Sequence, residues 1–389
     1  MDKSLALYLH IPFCISKCAY CDFFSRAGNG LVSDDYVRAL CDEIRERGKN
    51  HPADSWKSIY IGGGTPSLLK KNQIKKILDT AGKVKKICGE TEITVELNPD
   101  DVSEDLLKAL EECGVNRISL GIQSLNQKSL DFAKRRAGAG QNISAMERVS
   151  KVWKGRFSID LICGLPFETE ESFFAGLEKI FTYDPDHISL YSLTFEDETP
   201  FGKLLNQKEL DYDFDFSDSL WLKGREVLEK NGYFQYEVSN FCKKGFESLH
   251  NLTYWNHQSY IGAGAGASGS LYYDDGSAVR WTNSRDTDFY ISESRNPEKI
   301  SEIEKIDIKT SEFEFFMMGL RKISGIREGD FKGVFGKNFP SAVKNLAGEW
   351  EKKGLCHITL DKDENFNFTL GKEGILYLNN FLIALEGEL

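Results

Sequence analysis

ALYLHIPFCISKCAYC, residues 6–21, begins as a short strand with period-2 alternation over Ala6–His10 and runs directly into three cysteines spaced C-x3-C-x2-C. Three thiolates within eight residues, Cys14, Cys18 and Cys21, can converge on one metal centre. A mononuclear zinc site wants four ligands, and no obvious fourth stands nearby. A zinc site completed from afar and a fortuitous cysteine cluster are the competing readings.

Outward from that loop the same arrangement recurs. A helix starts near Ser33 with Val37, Leu40, Cys41 and Ile44 on one face and stops at Gly48. Further strands are expected at Ser58–Ile61, Glu92–Leu97, Arg117–Gly121, Phe157–Cys163 and His187–Leu193. Helical stretches are expected at 70–87, 103–113, 126–153 and 168–182, with a closing helix at 216–231. Repeated β-α units force a parallel sheet through right-handed crossovers. Polar residues decide between the two parallel architectures: Gly62–Thr65, Glu96 with Asn98, Gln123, Asp160 and Thr194 fall late in or just after successive strands. Such a ring builds one mouth of a barrel, whereas a doubly wound sheet concentrates its site at one switch point. Six units predict a partial (β/α)6 barrel of the TIM type over 1–231.

Residues 232–299 are rich in Gly, Tyr, Asn and Ser and predict an appended loop-and-strand region. From 300 to 389, helical patterns (Ser311–Lys322, Pro340–Lys353), a hairpin (Leu355–Leu360, Phe366–Leu370) and a last helix (Glu373–Leu385) predict a small winged-helix-like domain. The net charge of −11 repels phosphate backbones, so nucleic acid is not expected as a partner. The apolar runs are strand-sized and no signal-peptide cleavage region is read at the start, so a cytoplasmic chain without membrane insertion is expected. Nine cysteines in 389 residues are too sparse for a disulfide scaffold. Cys41, Cys88, Cys113, Cys163 and Cys356 are read mostly as small core residues.

The cysteine triplet after the first strand resembles that of the radical S-adenosylmethionine (SAM) enzymes. The resemblance implies a [4Fe-4S] cluster on Cys14, Cys18 and Cys21, with SAM on the fourth iron and a reduced cluster that cleaves it to a 5′-deoxyadenosyl radical. Gly62-Gly-Gly-Thr-Pro-Ser67 follows the second strand like that family's SAM-binding glycine motif, where glycines admit a ligand close to the backbone and expose N–H groups. The resemblance implies that Tyr8, Tyr20, Gly63, Gly64, Thr65, Glu96, Gln123, Arg135 and Asp160 contact SAM. Ala137 stands where the family commonly has a histidine, and Arg136 is the alternative to Arg135.

Within these enzymes the run through GGGTPS, Gly164-Leu-Pro166 and Tyr236–Phe241 is similar to the group that holds oxygen-independent coproporphyrinogen III oxidase and the heme chaperones. The oxidases carry a further cysteine where Phe23 stands, and an N-terminal extension where only five residues precede Ala6. His250-Asn-Leu-Thr-Tyr254-Trp255 looks like the H-N-x-x-Y-W motif of the chaperones. It implies heme binding through His250, Tyr254 and Trp255: an imidazole can ligate iron and aromatic faces can lie against a porphyrin. The competing reading has His250 hydrogen-bonded in a loop, with Tyr254 and Trp255 packed on the barrel. Cys242 and His257 are rival ligands. The expectation is a heme chaperone that hands heme to an unidentified acceptor protein, the alternative an enzyme that oxidatively decarboxylates coproporphyrinogen III.

Overall fold

The computed structural model describes residues 4–49 and 51–387. Six strands, β1 (Ser4–Ile11), β2 (Ser55–Gly63), β3 (Glu92–Leu97), β4 (Arg117–Gln123), β5 (Arg156–Cys163) and β6 (His187–Ser192), lie side by side in chain order and all parallel. The expected partial barrel is therefore present. Its alternation is unusual for parallel strands, which are normally apolar on both faces. Leu7, Leu9, Ile59, Ile61, Val95, Ile118, Leu120, Ile159 and Ile188 point outward into the core shared with the helices. Tyr60, Thr94, Glu96, Ser119, Asp160 and Ser189, one residue out of step, line a cavity of about 560 Å³ inside the barrel. The inner wall is thus a polar chamber instead of the layered side-chain filling of a closed eight-stranded barrel.

The covering helices follow their apolar stripes. In α1 (Asp34–Lys49) the expected residues Val37, Leu40, Cys41 and Ile44 are all buried. The stretch read as one helix over 126–153 is two, Gln127–Phe132 and Ala139–Val152. Lys134 adopts a left-handed backbone at φ 55°, which ends the first helix, and Gly138 caps the second. That break puts Arg135 on a loop that reaches the barrel mouth.

Residues 232–299 extend the same sheet at both edges. β7 (Phe234–Gln235) and β8 (Asn240–Cys242) form a hairpin on β6. β9 (Tyr260–Ala263) lies parallel on the far side of β1, followed by the antiparallel β10 (Ser268–Tyr272), β11 (Ala278–Asn283) and β12 (Ser301–Ile306). Residues 301–306, read from sequence with the C-terminal unit, thus pair with the large sheet. Beyond them, helices Ile308–Gly319, Glu328–Phe335 and Ser341–Lys352 pack with a three-stranded antiparallel sheet, β13 (Ile326–Arg327), β14 (Cys356–Leu360) and β15 (Phe366–Leu370). This unit has its own core, built on Phe316, Phe331, Phe368 and Phe381. Of the cysteines read as core residues, Cys41, Cys163 and Cys356 are buried, Cys113 is half-buried and Cys88 is exposed. No helix among the described residues is long and apolar enough to cross a membrane.

Candidate functional site

The cysteine loop leaves β1 at Ile11 and is closed by a two-residue parallel ladder, Phe13–Cys14 against Arg26–Ala27. Cys14 is buried, and its Sγ accepts a hydrogen bond from Thr65 Oγ1 at 3.4 Å. Cys18 Sγ receives Arg135 Nη1 at 3.5 Å. Burial pushes the Cys21 thiol up to about 11. All three cysteines and Tyr20 line the mouth of the barrel cavity.

Space explains the glycines of the neighbouring loop. A Cβ on Gly64 would sit 2.9 Å from Cys14 Sγ and 2.8 Å from Phe13 O. One on Gly63, whose φ is 114°, would meet the His10 ring at 2.7 Å, and one on Gly62 would meet Glu96 Oε1 at 2.9 Å. The expectation that these N–H groups stand free for a ligand is corrected at two positions. Gly63 N donates to Glu96 Oε2 at 3.1 Å, and Gly64 N to Ile11 O at 2.8 Å. Glu96 also accepts from Tyr60 Oη at 2.8 Å, and burial in this setting raises its carboxyl to about 7.

Across the chamber Asp160 accepts from Ser189 Oγ at 2.7 Å and Ser119 Oγ at 2.9 Å; burial raises its pKa above the usual carboxylate range. Gln123 sits at φ 66°, where the pairing of β4 with β5 slips, a strained position of the kind that clusters at functional sites. Both arginines line the cavity but are held differently. Arg135 Nη2 donates to Gly121 O at 2.6 Å and Asn98 Oδ1 at 3.1 Å, beside Cys18, while Arg136 pairs with Asp100 and Asp101 at 3.1 and 2.8 Å. Gly63, Gly64, Thr65, Glu96, Gln123, Arg135 and Asp160 thus share one cavity with the three cysteines.

Tyr8 is not among the residues lining that cavity, though it lies beside Tyr60 on the same inner face, its hydroxyl 2.9 Å from His10 Nδ1. The sequence reading missed the chamber floor, where Arg117, His187, Ser248 and Asn251 also face the cavity. Their signal was present as polar residues two apart, Arg117-x-Ser119-x-Gly121 and His187-x-Ser189-x-Tyr191, on strands whose other residues are apolar.

The H-N-x-x-Y-W residues are not gathered at that mouth. They form a helix, Leu249–Trp255, where a loop was expected, capped by Ser248. His250 is buried at 2% exposure, with Nδ1 2.9 Å from Ser58 Oγ and Nε2 2.7 Å from Tyr254 Oη. Desolvation lowers its pKa to about 3, so it is neutral. Trp255 turns toward the C-terminal unit, with Arg321 over its ring at 5.7 Å. Of the rivals, Cys242 is buried on β8. His257 lies against Tyr272 at 3.8 Å between ring centroids and a tilt of 40°, with both ring nitrogens lacking hydrogen-bond partners among the described residues.

The family model of the radical SAM superfamily matches residues 8–180. Among characterised proteins, the chain is 36% identical to the heme chaperone HemW of Lactococcus lactis, with 90% of this chain and 91% of that one covered. It is 34% identical to HemW of Bacillus subtilis, with 98% and 99% covered. Among solved structures, coproporphyrinogen III oxidase (HemN) from Escherichia coli superimposes with a TM-score of 0.81 at 20% identity, covering 100% of this chain and 91% of that chain, a likeness of fold.

Proposed function

Because this chain belongs to the HemW family of the radical SAM superfamily, we propose that it takes up heme as cargo and passes it to an acceptor protein, on a scaffold that holds a [4Fe-4S] cluster and SAM. The observation that carries the reading is the kinship itself, sustained at 34% identity over 98% of the chain. The cavity joining three thiols, a glycine loop, an arginine and two half-buried carboxylates supports the cofactor part.

In this reading Cys14, Cys18 and Cys21 bind the cluster as thiolates. The fit is supported by the cradle at Gly64, where any Cβ would overlap Cys14 Sγ and Phe13 O. Arg135 sits beside Cys18 and offsets the charge of the sulfur ligands and of a ligand carboxylate. Glu96 and Asp160 accept hydrogen bonds from an ammonium or from ribose hydroxyls, and Gln123 offers both donor and acceptor. When bound, the reduced cluster and SAM supply one-electron chemistry; the chain's own residues bind, orient and exclude water.

For the cargo, His250 becomes an iron ligand only by giving up one of its two partners, Ser58 at Nδ1 or Tyr254 at Nε2, whereas His257 has two unengaged nitrogens. Heme titrations of His250→Ala, His257→Ala and Cys242→Ala proteins, followed by the Soret band and iron spin state, assign the ligand. Loss only in His257→Ala or Cys242→Ala transfers the role from His250. No saturable heme binding by the unaltered protein would remove the chaperone reading. Conversion of coproporphyrinogen III to protoporphyrinogen IX by the anaerobically reconstituted protein would replace it with the oxidase. The cluster assignment is checked separately: Cys14→Ala, Cys18→Ala or Cys21→Ala abolishes the visible charge-transfer absorbance and lowers iron content after reconstitution, while Cys88→Ala keeps both.

A further inference from the structure

Three rings meet beneath the mouth of the barrel. His250 stacks on Tyr60 with centroids 5.0 Å apart at 25°, and Tyr8 leans on both, 6.2 Å from Tyr60 and 6.3 Å from His250. Each tyrosine holds a different part of the site. Tyr60 Oη donates to Glu96, whose other carboxylate oxygen holds Gly63 N. Tyr8 Oη reaches His10 Nδ1 at 2.9 Å, and His10 Nε2 donates to Phe24 O at 2.8 Å, on the segment that closes the cysteine loop. Gly63 also rests against the His10 ring, close enough that a Cβ there would overlap it.

From this geometry we infer that His250 is a positioning residue for SAM: its ring, fixed by Ser58 and Tyr254, props Tyr60 and Tyr8 and through them sets Glu96, the Gly63 backbone and the back of the cysteine loop. The inference rests on the reading that this cavity binds SAM, and assigns His250 a task that needs no heme. It also has a consequence by linkage. A ligand that shifts the imidazole off the Tyr60 face removes the prop, so heme ligation that moves the ring in this way weakens SAM binding, and SAM weakens that ligation by the same factor.

The test uses the reconstituted full chain, anaerobic and free of heme, with SAM affinity measured by calorimetry and the reduced cluster followed by electron paramagnetic resonance. His250→Ala is expected to raise the Kd for SAM about tenfold, or about 1.4 kcal/mol, with iron content retained. The resonance of the reduced cluster is expected to change only in the presence of SAM. His250→Phe, which restores a ring under Tyr60 without an imidazole, is expected to recover affinity to within about threefold. A role confined to general stability would lower the melting temperature without this separation. Should His250→Ala fail to fold, the Ser58→Ala/Tyr254→Phe double variant frees the ring while keeping it, and about fivefold weaker SAM binding is expected. Unchanged SAM affinity in His250→Ala, or in the double variant, overturns the inference. Absence of SAM binding by the unaltered protein overturns both the inference and the cofactor reading beneath it.

Discussion

At the scale of single residues, the site is governed by closeness. Gly64 is held to glycine by the cluster side of the loop, since its missing Cβ would lie on Cys14 Sγ. Gly64→Val is therefore expected to lose iron and SAM together, which parallel iron assay and calorimetry would read; retention of full iron content would show that the loop yields. Glu96 illustrates the cost of burying a carboxylate. Its folded-state pKa is raised from 4.5 to about 7, mainly by desolvation, so its contribution to stability is complete below about pH 4.5 and is lost as pH rises through about 7. In the cofactor-free protein, stability relative to Glu96→Gln is expected to fall across that window by up to about 3 kcal/mol, measured by urea unfolding at pH 5 and pH 8. Glu168, raised to about 7, and Glu237, raised to about 6, keep part of the slope in both proteins.

At the scale of elements, one carboxylate ties the start of the H-N-x-x-Y-W helix to Arg117 on the barrel floor. Glu92, on β3 and 3% exposed, accepts from His250 N at 3.1 Å and Ser248 Oγ at 3.3 Å and pairs with Arg117 Nη1 at 3.3 Å. Arg117 is itself 2% exposed, so removing its partner strands a charge in the interior. Glu92→Ala is expected to destabilise the protein by about 3–5 kcal/mol in chemical denaturation, far more than an exposed pair such as Lys108–Glu104, for which Glu104→Ala costs under about 1 kcal/mol. The break between the two helices at Ala133–Gly138 is the other element-level device. Lys134 in the left-handed region ends one helix so that Arg135 can turn into the mouth.

At the scale of the molecule two large hydrophobic cores stand among the described residues, beside a small cluster of Ala19, Ala133, Ile162, Leu165, Leu193 and Phe201. The barrel and its helices share one, and the unit after Ile306 has its own around Phe316 and Phe331. The two are tied by polar contacts that include Ile323 N to Tyr236 O at 3.0 Å, Arg225 Nη1 to Lys372 O at 3.0 Å and the Arg280–Glu314 pair at 2.8 Å, and by His257 packed against Phe315 and Phe335. Phe331→Ala is expected to cost about 3–5 kcal/mol and to open the C-terminal unit first. Limited proteolysis would then cut beyond residue 306 while the reconstituted cluster absorbance is kept; simultaneous loss of both would mean that the two cores unfold as one.

The period-2 alternation and the spacing of motifs determined a great deal without any tertiary information. Glu92–Leu97 has the predicted bounds, α1 buries the predicted stripe, and residues at six strand ends meet in one cavity. These features are local: a side chain's face follows from its position in its own strand or helix. Tertiary structure alone decided that Arg135 lies beside Cys18 while Arg136 pairs with Asp100 and Asp101, that the N–H groups of Gly63 and Gly64 are engaged, and that residues 301–306 close the edge of the large sheet. It also decided that His250 lies under the barrel mouth, because its environment is assembled from Ser58, Tyr60 and Tyr8, some two hundred residues away along the chain. Burial and hydrogen-bond partners between such distant segments are set by how strands and helices pack, and no periodicity within seven residues of a helix records them.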